Sequence, residues 1–122
     1  MVRRRQFMSR RDDRVALTDM RNHAVEAVAL LGEASLNDLA ENRVTELALI
    51  KLVEIVGEAA NRISVETQQS HKEIPWTQII GMRNRLVHGY DDISLERLWN
   101  TIKWELPPLM EQLDTIIGEE NL

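Results

Sequence analysis

The run Leu47-Ala48-Leu49-Ile50-Lys51-Leu52-Val53-Glu54-Ile55-Val56 places eight apolar residues in ten and spreads them over more than one helical face. A helix that is apolar nearly all round must be buried on several sides, so it is central to a bundle or lies against another subunit. Both positions are expected here. The rest of the chain supplies amphipathic helices to surround it. Leu17, Met20, Ala24, Val28 and Leu31 recur at steps of three and four, which predicts a first helix from about Asp13 to Leu31, stopped by Gly32. The central helix should begin near Asn37 or Asp38, either of which can cap it, and continue to about Val65.

Beyond it, Thr67 to Glu73 is polar and reads as a loop with His71 at the surface. Pro75 suits a first helical turn, so a third helix should run from there to about His88, with Trp76, Ile79, Ile80, Met82, Leu86 and Val87 as its apolar contacts. Gly89 should end it and Asp91-Asp92 should form a turn. Ser94 is a good cap for a fourth helix whose stripe is Leu95, Leu98, Trp99, Ile102 and Leu106. Pro107-Pro108 lacks two backbone donors and predicts a kink or break, followed by a shorter helix through Leu109, Leu113, Ile116 and Ile117. No segment shows strand alternation. The fold class is all-α, an up-down bundle of four to five helices with the last broken at Pro107-Pro108.

Composition narrows the function. At 122 residues the chain is one domain, expected over residues 12–118, with a disordered arginine-rich arm at 1–11 and a frayed acidic tail at 119–122. Cysteine is absent, which removes disulfides and thiolate metal sites and fits the cytoplasm. No apolar run approaches the ~20 residues of a membrane span, and no apolar segment follows the N-terminal arginines as a secretory signal requires. Residues 1–14 carry six arginines against two aspartates, while the remainder carries nine Lys/Arg against eighteen Asp/Glu. Such an acidic body does not attract nucleic acid by bulk charge, so any nucleic-acid contact must be local, at an arginine-lined cleft. The arm reads most simply as a solvated tail.

One stretch concentrates chemistry. In Ile79-Ile80-Gly81-Met82-Arg83-Asn84-Arg85-Leu86-Val87-His88-Gly89-Tyr90, an arginine, an amide, a histidine and a tyrosine gather at a helix end. Asn84 and His88 are one turn apart and share a face. Arg83 and His88 stand roughly 140° apart on an ideal helix, a gap that two copies facing each other would close more easily than one. The structural alternative is a helix terminus with an exposed arginine and a capping histidine. It accounts less well for Asn84 and Tyr90.

Arg83-Asn84-x-x-x-His88-x-Tyr90 resembles the R-x4-H-x-Y signature of HEPN-domain ribonucleases, in particular the HepT-like toxins of toxin–antitoxin pairs. Val56-Gly57-Glu58-Ala59-Ala60-Asn61-Arg62-Ile63 is similar to the family's G-E-A-containing second helix, as is Ile74-Pro75-Trp76 to its lead into the motif. The resemblance spans roughly Arg11 to Ile117. It implies an endoribonuclease with Arg83 and His88 as catalytic residues, Asn84 in support, and Tyr90 as the target of a minimal nucleotidyltransferase antitoxin that adds adenylyl groups to it. It implies no cofactor in this chain. ATP and magnesium would belong to the partner, which would assemble with a homodimer as a hetero-oligomer. For Glu58 two readings stand: an exposed residue pairing with Arg62 one turn on, or a carboxylate facing the motif helix that orients Arg83 or His88.

The chemistry needs few parts. A base removes the ribose 2′-OH proton, an acid protonates the departing 5′ oxygen, and a cation stabilises the phosphorane. Histidine can serve as either proton carrier, and arginine matches phosphate oxygens in two-point contact. A two-fold axis would supply both carriers from one sequence. The competing reading is a HEPN-like dimer that cleaves nothing and holds a nucleotidyltransferase. A di-iron bundle is disfavoured because no Glu precedes a His by three residues, and a DNA-reading helix-turn-helix because the third helix is not broadly basic. His23 lies beside the first helix's stripe and reads as a packed or surface residue.

Overall fold

The computed structural model describes residues 2–86 and 93–119, with side chains from residue 12 onward. Helix α1, Val2–Leu31, ends at Gly32, whose φ of 54° is the left-handed conformation that glycine adopts without strain. The helix therefore takes in the stretch expected as a loose arm. Arginine, glutamine and methionine are good helix formers, and extending an existing helix avoids the cost of nucleation.

The central helix is divided rather than continuous. Helix α2, Leu36–Ala40, starts from Ser35, whose side chain accepts from Asp38 N while the Asp38 carboxylate accepts in turn from Ser35 N. Asn42 then caps α3, Arg43–Asn61, by accepting from Thr45 N at 3.1 Å. A side chain that satisfies the first donors of a new helix competes with continuing the old one, which explains the break at 41–42. Helix α4, Val65–Ser70, replaces the expected loop, because Ser64 caps it through Thr67 N. His71, expected at the surface, is half-buried with its side chain only 13% exposed, beside Glu73.

The motif helix also comes in two pieces, α5, Trp76–Ile80, and α6, Met82–Leu86, joined at Gly81. Hydrogen bonding nearly carries through: Gly81 N donates to Thr77 O at 3.1 Å and Gly81 O accepts from Arg85 N at 3.2 Å. Helix α7, Leu95–Asn100, is capped by Ser94 as expected. It runs into a π-helical turn, Thr101–Glu105, and then α8, Leu106–Glu119. The interruption expected at Pro107-Pro108 takes the form of this wider turn just upstream, which leaves both prolines in the first turn of α8 where missing donors cost least.

Helix α1 packs on α3 and α8, and α3 carries α5 and α6 on another side. Leu17, Met20, Ala24, Leu49, Val53, Val56, Leu98, Ile102, Leu106, Leu113 and Ile116 are buried in one continuous core. Among the described residues there is no β-strand, and no helix is long and apolar enough to cross a membrane. The structure is all-α, as the sequence predicts.

Candidate functional site

Gly57 decides how closely the motif helices approach α3. A Cβ at this position would stand 3.1 Å from Ile79 O and 3.3 Å from Ile80 O. With hydrogen alone, the backbone of α5 lies directly against α3. That contact brings Arg83 over α3, where its Nε stands 3.3 Å from Glu54 Oε2. Lys51, one turn earlier, places Nζ 3.1 Å from the other oxygen, Oε1.

A groove of about 330 Å³ opens here, lined by Glu54, Gly57, Glu58, Asn61, Ile80, Arg83 and Asn84. Arg83 and Asn84, both predicted site residues, therefore share one concavity with Glu58. Glu58 is exposed, and the carboxylate that reaches Arg83 is that of Glu54, one turn earlier on α3. Nor does Glu58 hold Arg62, whose Nη2 instead pairs with Asp19 on α1 at 3.0 Å. The sequence offered no signal favouring Glu54. Two carboxylates about 40° apart on a helix are told apart only once the roll of the helix is fixed.

Three arginines surround the motif and are used differently. Arg85 donates from Nη2 to Gln78 O at 3.3 Å and approaches Glu105 at 3.4 Å. Arg97 donates from Nη1 to Arg85 O at 2.9 Å. Both tie helices together. Arg83, by contrast, is ion-paired with Glu54, its Nε 3.3 Å from Oε2, and its guanidinium makes no hydrogen bond among the described residues. Its side chain is 52% exposed at the groove. A planar fork with both ends open is suited to two-point contact with a phosphate.

His88 and Tyr90 lie outside the described residues. Their flanks are fixed: Leu86 O accepts from Ser94 N at 2.8 Å, and Arg97 takes the neighbouring carbonyl of Arg85. These bonds satisfy carbonyls at the end of α6 and join it to the start of α7. His23 is half-buried, its Nδ1 2.7 Å from Asp19 O within its own helix. Among the described residues no cluster of three or more His, Asp or Glu side chains gathers as a metal ion requires. A larger groove, about 460 Å³ between α4 and α5, is lined by Gln68, Lys72 and Trp76 among others and includes none of the motif residues.

Comparison with known proteins gives a consistent result. A family described as "Ribonuclease HepT-like" matches residues 20–116. The chain is 34% identical over 87 residues to "Putative RNase TTE0752" of Caldanaerobacter subterraneus subsp. tengcongensis, covering 71% of this chain and 78% of that protein. It is 32% identical over 95 residues to "Probable ribonuclease HepT" of Thermococcus cleftensis, covering 75% and 86%. It is 28% identical over 109 residues to "Putative RNase MJ1380" of Methanocaldococcus jannaschii, covering 89% and 100%. No solved structure matches the chain.

Proposed function

Because this chain belongs to the HepT-like ribonuclease family, we propose that it is an endoribonuclease and the toxin of a toxin–antitoxin pair. The observation that carries the reading is Arg83, half-exposed in the lining of a groove, ion-paired with Glu54 and without a hydrogen bond among the described residues. In this mechanism Arg83 grips the scissile phosphate and stabilises charge on the phosphorane. His88 of one subunit takes the 2′-OH proton as the 2′ oxygen bonds to phosphorus. As the bond from phosphorus to the 5′ oxygen breaks, His88 of the second subunit protonates that oxygen. The products are a 2′,3′-cyclic phosphate and a 5′-hydroxyl. No metal takes part in this scheme, and a C2 homodimer supplies both histidines. Asn84 lines the same groove and orients phosphate or imidazole.

Tyr90 is the regulatory residue in this reading. Adenylylation by a nucleotidyltransferase antitoxin, assembled with the toxin as a hetero-oligomer, puts negative phosphate and bulk beside Arg83 and competes with RNA for it. The donor ATP and its magnesium belong to that partner, in the cytoplasm. One observation favours a second reading, a dimer that binds a nucleotidyltransferase without cleaving RNA. Glu54 and Glu58 line the groove with Arg83, and carboxylates oppose a polyanion.

Expression in cells separates the two. Wild type should arrest growth and fragment cellular RNA, while Arg83→Ala and His88→Ala should do neither, although both should still capture the nucleotidyltransferase. A wild-type chain that mass spectrometry finds unmodified, and that leaves growth and RNA intact, would replace the enzyme with the binding module.

A further inference from the structure

We propose that Glu54, assisted by Lys51, is the positioning residue of Arg83, fixing the plane of its guanidinium so that the terminal fork faces the groove. The inference rests on the ribonuclease reading and extends it to two residues outside the R-x4-H-x-Y pattern. Glu54 uses its two oxygens separately: Oε2 stands 3.3 Å from Arg83 Nε in an ion pair, and Oε1 accepts from Lys51 Nζ at 3.1 Å. An ion pair whose close approach is at Nε draws the guanidinium toward α3 and leaves Nη1 and Nη2, unbonded among the described residues, available to a phosphate. A carboxylate paired across both terminal nitrogens would instead have consumed the donors.

Lys51 answers the objection that a carboxylate beside a phosphate is repulsive. With Lys51 on its other oxygen, Glu54 sits between two cations, and the three side chains together carry a single positive charge. Glu54 is also the more enclosed member of its pair with Arg83, its side chain 25% exposed against 52%. It is anchored on the long helix α3, whereas Arg83 stands on the five-residue α6. The rigid element thus carries the group that orients, and the short one carries the group that is oriented.

The test combines kinetics of the full-length dimer on a labelled RNA with the NMR signal of the Arg83 Nε–Hε group. Glu54→Ala should lower kcat on the order of 10- to 100-fold with little change in KM, as misplacement of a catalytic group does. It should also erase the distinct Arg83 Nε–Hε resonance while leaving the melting temperature close to wild type. Glu54→Gln keeps an oxygen acceptor for Nε and should restore most of kcat and the resonance. Wild-type cleavage with unaltered Glu54→Ala kinetics overturns the positioning role alone, and so does an Arg83 resonance that Glu54→Ala leaves in place. Equal losses in Glu54→Ala and Glu54→Gln that track a fall in melting temperature reduce Glu54 to a structural residue. Absence of cleavage in the wild type is a separate outcome and sinks the ribonuclease reading itself.

Discussion

Asp13 and Arg83 are both charged, and both join parts of the chain far apart in sequence, yet the fold treats them in opposite ways. Asp13 is 3% exposed and accepts three hydrogen bonds: from Ser64 N at 2.8 Å, Ser64 Oγ at 2.6 Å and Thr67 Oγ1 at 2.5 Å. Its bonding capacity is spent on holding α1 to the start of α4. Arg83 is half-exposed, ion-paired with Glu54 without a hydrogen bond among the described residues, and lines a groove. A buried charge that is fully partnered serves stability. A half-exposed charge without hydrogen bonds is available to a ligand. Substitutions at the two sites should therefore separate stability from activity almost cleanly.

The largest effect is expected at Arg83. Arg83→Ala should lower RNA cleavage on the order of 100- to 1000-fold, the cost of removing one donor to transition-state charge. Its stability in urea should fall by no more than ~0.5 kcal/mol, since an exposed ion pair contributes little. Asp13→Ala should do the reverse. Removing the acceptor of the half-buried donors of Ser64 and Thr67 should cost about 1–2 kcal/mol in urea unfolding, with kcat per folded molecule unchanged. A loss of kcat at Asp13, or of stability at Arg83, would break the comparison.

Gly57→Ala sharpens it, because Gly57 lies where the two concerns meet. Its added methyl would stand 3.1 and 3.3 Å from two backbone carbonyl oxygens, so α5 must shift by a few tenths of an ångström. We expect about 1 kcal/mol of destabilisation and a drop in cleavage larger than that loss of folded protein explains. Differential unfolding and single-turnover cleavage measure the two parts. The smallest effect belongs to Arg21→Ala. It removes a pair with Asp114 whose side chains are 41% and 57% exposed, and it should change stability by less than ~0.5 kcal/mol and cleavage not at all.

The same contrast explains what could be read from the sequence. Apolar periodicity located the core: Leu17, Met20 and Ala24, Leu98 and Ile102, and Leu113 and Ile116 are all buried as their spacing predicts. Gly32 and Ser94 end and begin helices because each acts through its own neighbours. Local competition was harder to weigh. Asn42 and Ser64 start new helices inside stretches read as continuous helix or loop, since a cap is visible only against the alternative it displaces. The site was legible as a pattern but not as a geometry. The spacing to His88 singles out Arg83, but it does not show that Arg85 is spent on Gln78 and Glu105, nor which of Glu54 and Glu58 reaches Arg83. Those differences are set by the roll of α3 beneath α6, and that roll depends on the close approach at Gly57.

The central claim is that this chain cuts RNA with Arg83 and His88. The most direct test treats RNA with purified protein in the presence of a chelator, after mass spectrometry has shown Tyr90 unmodified, and then identifies the new ends. The account predicts 2′,3′-cyclic phosphate and 5′-hydroxyl ends with the wild type and uncut RNA with Arg83→Ala and His88→Ala. Intact RNA with the wild type, or the same fragments from His88→Ala, would contradict it.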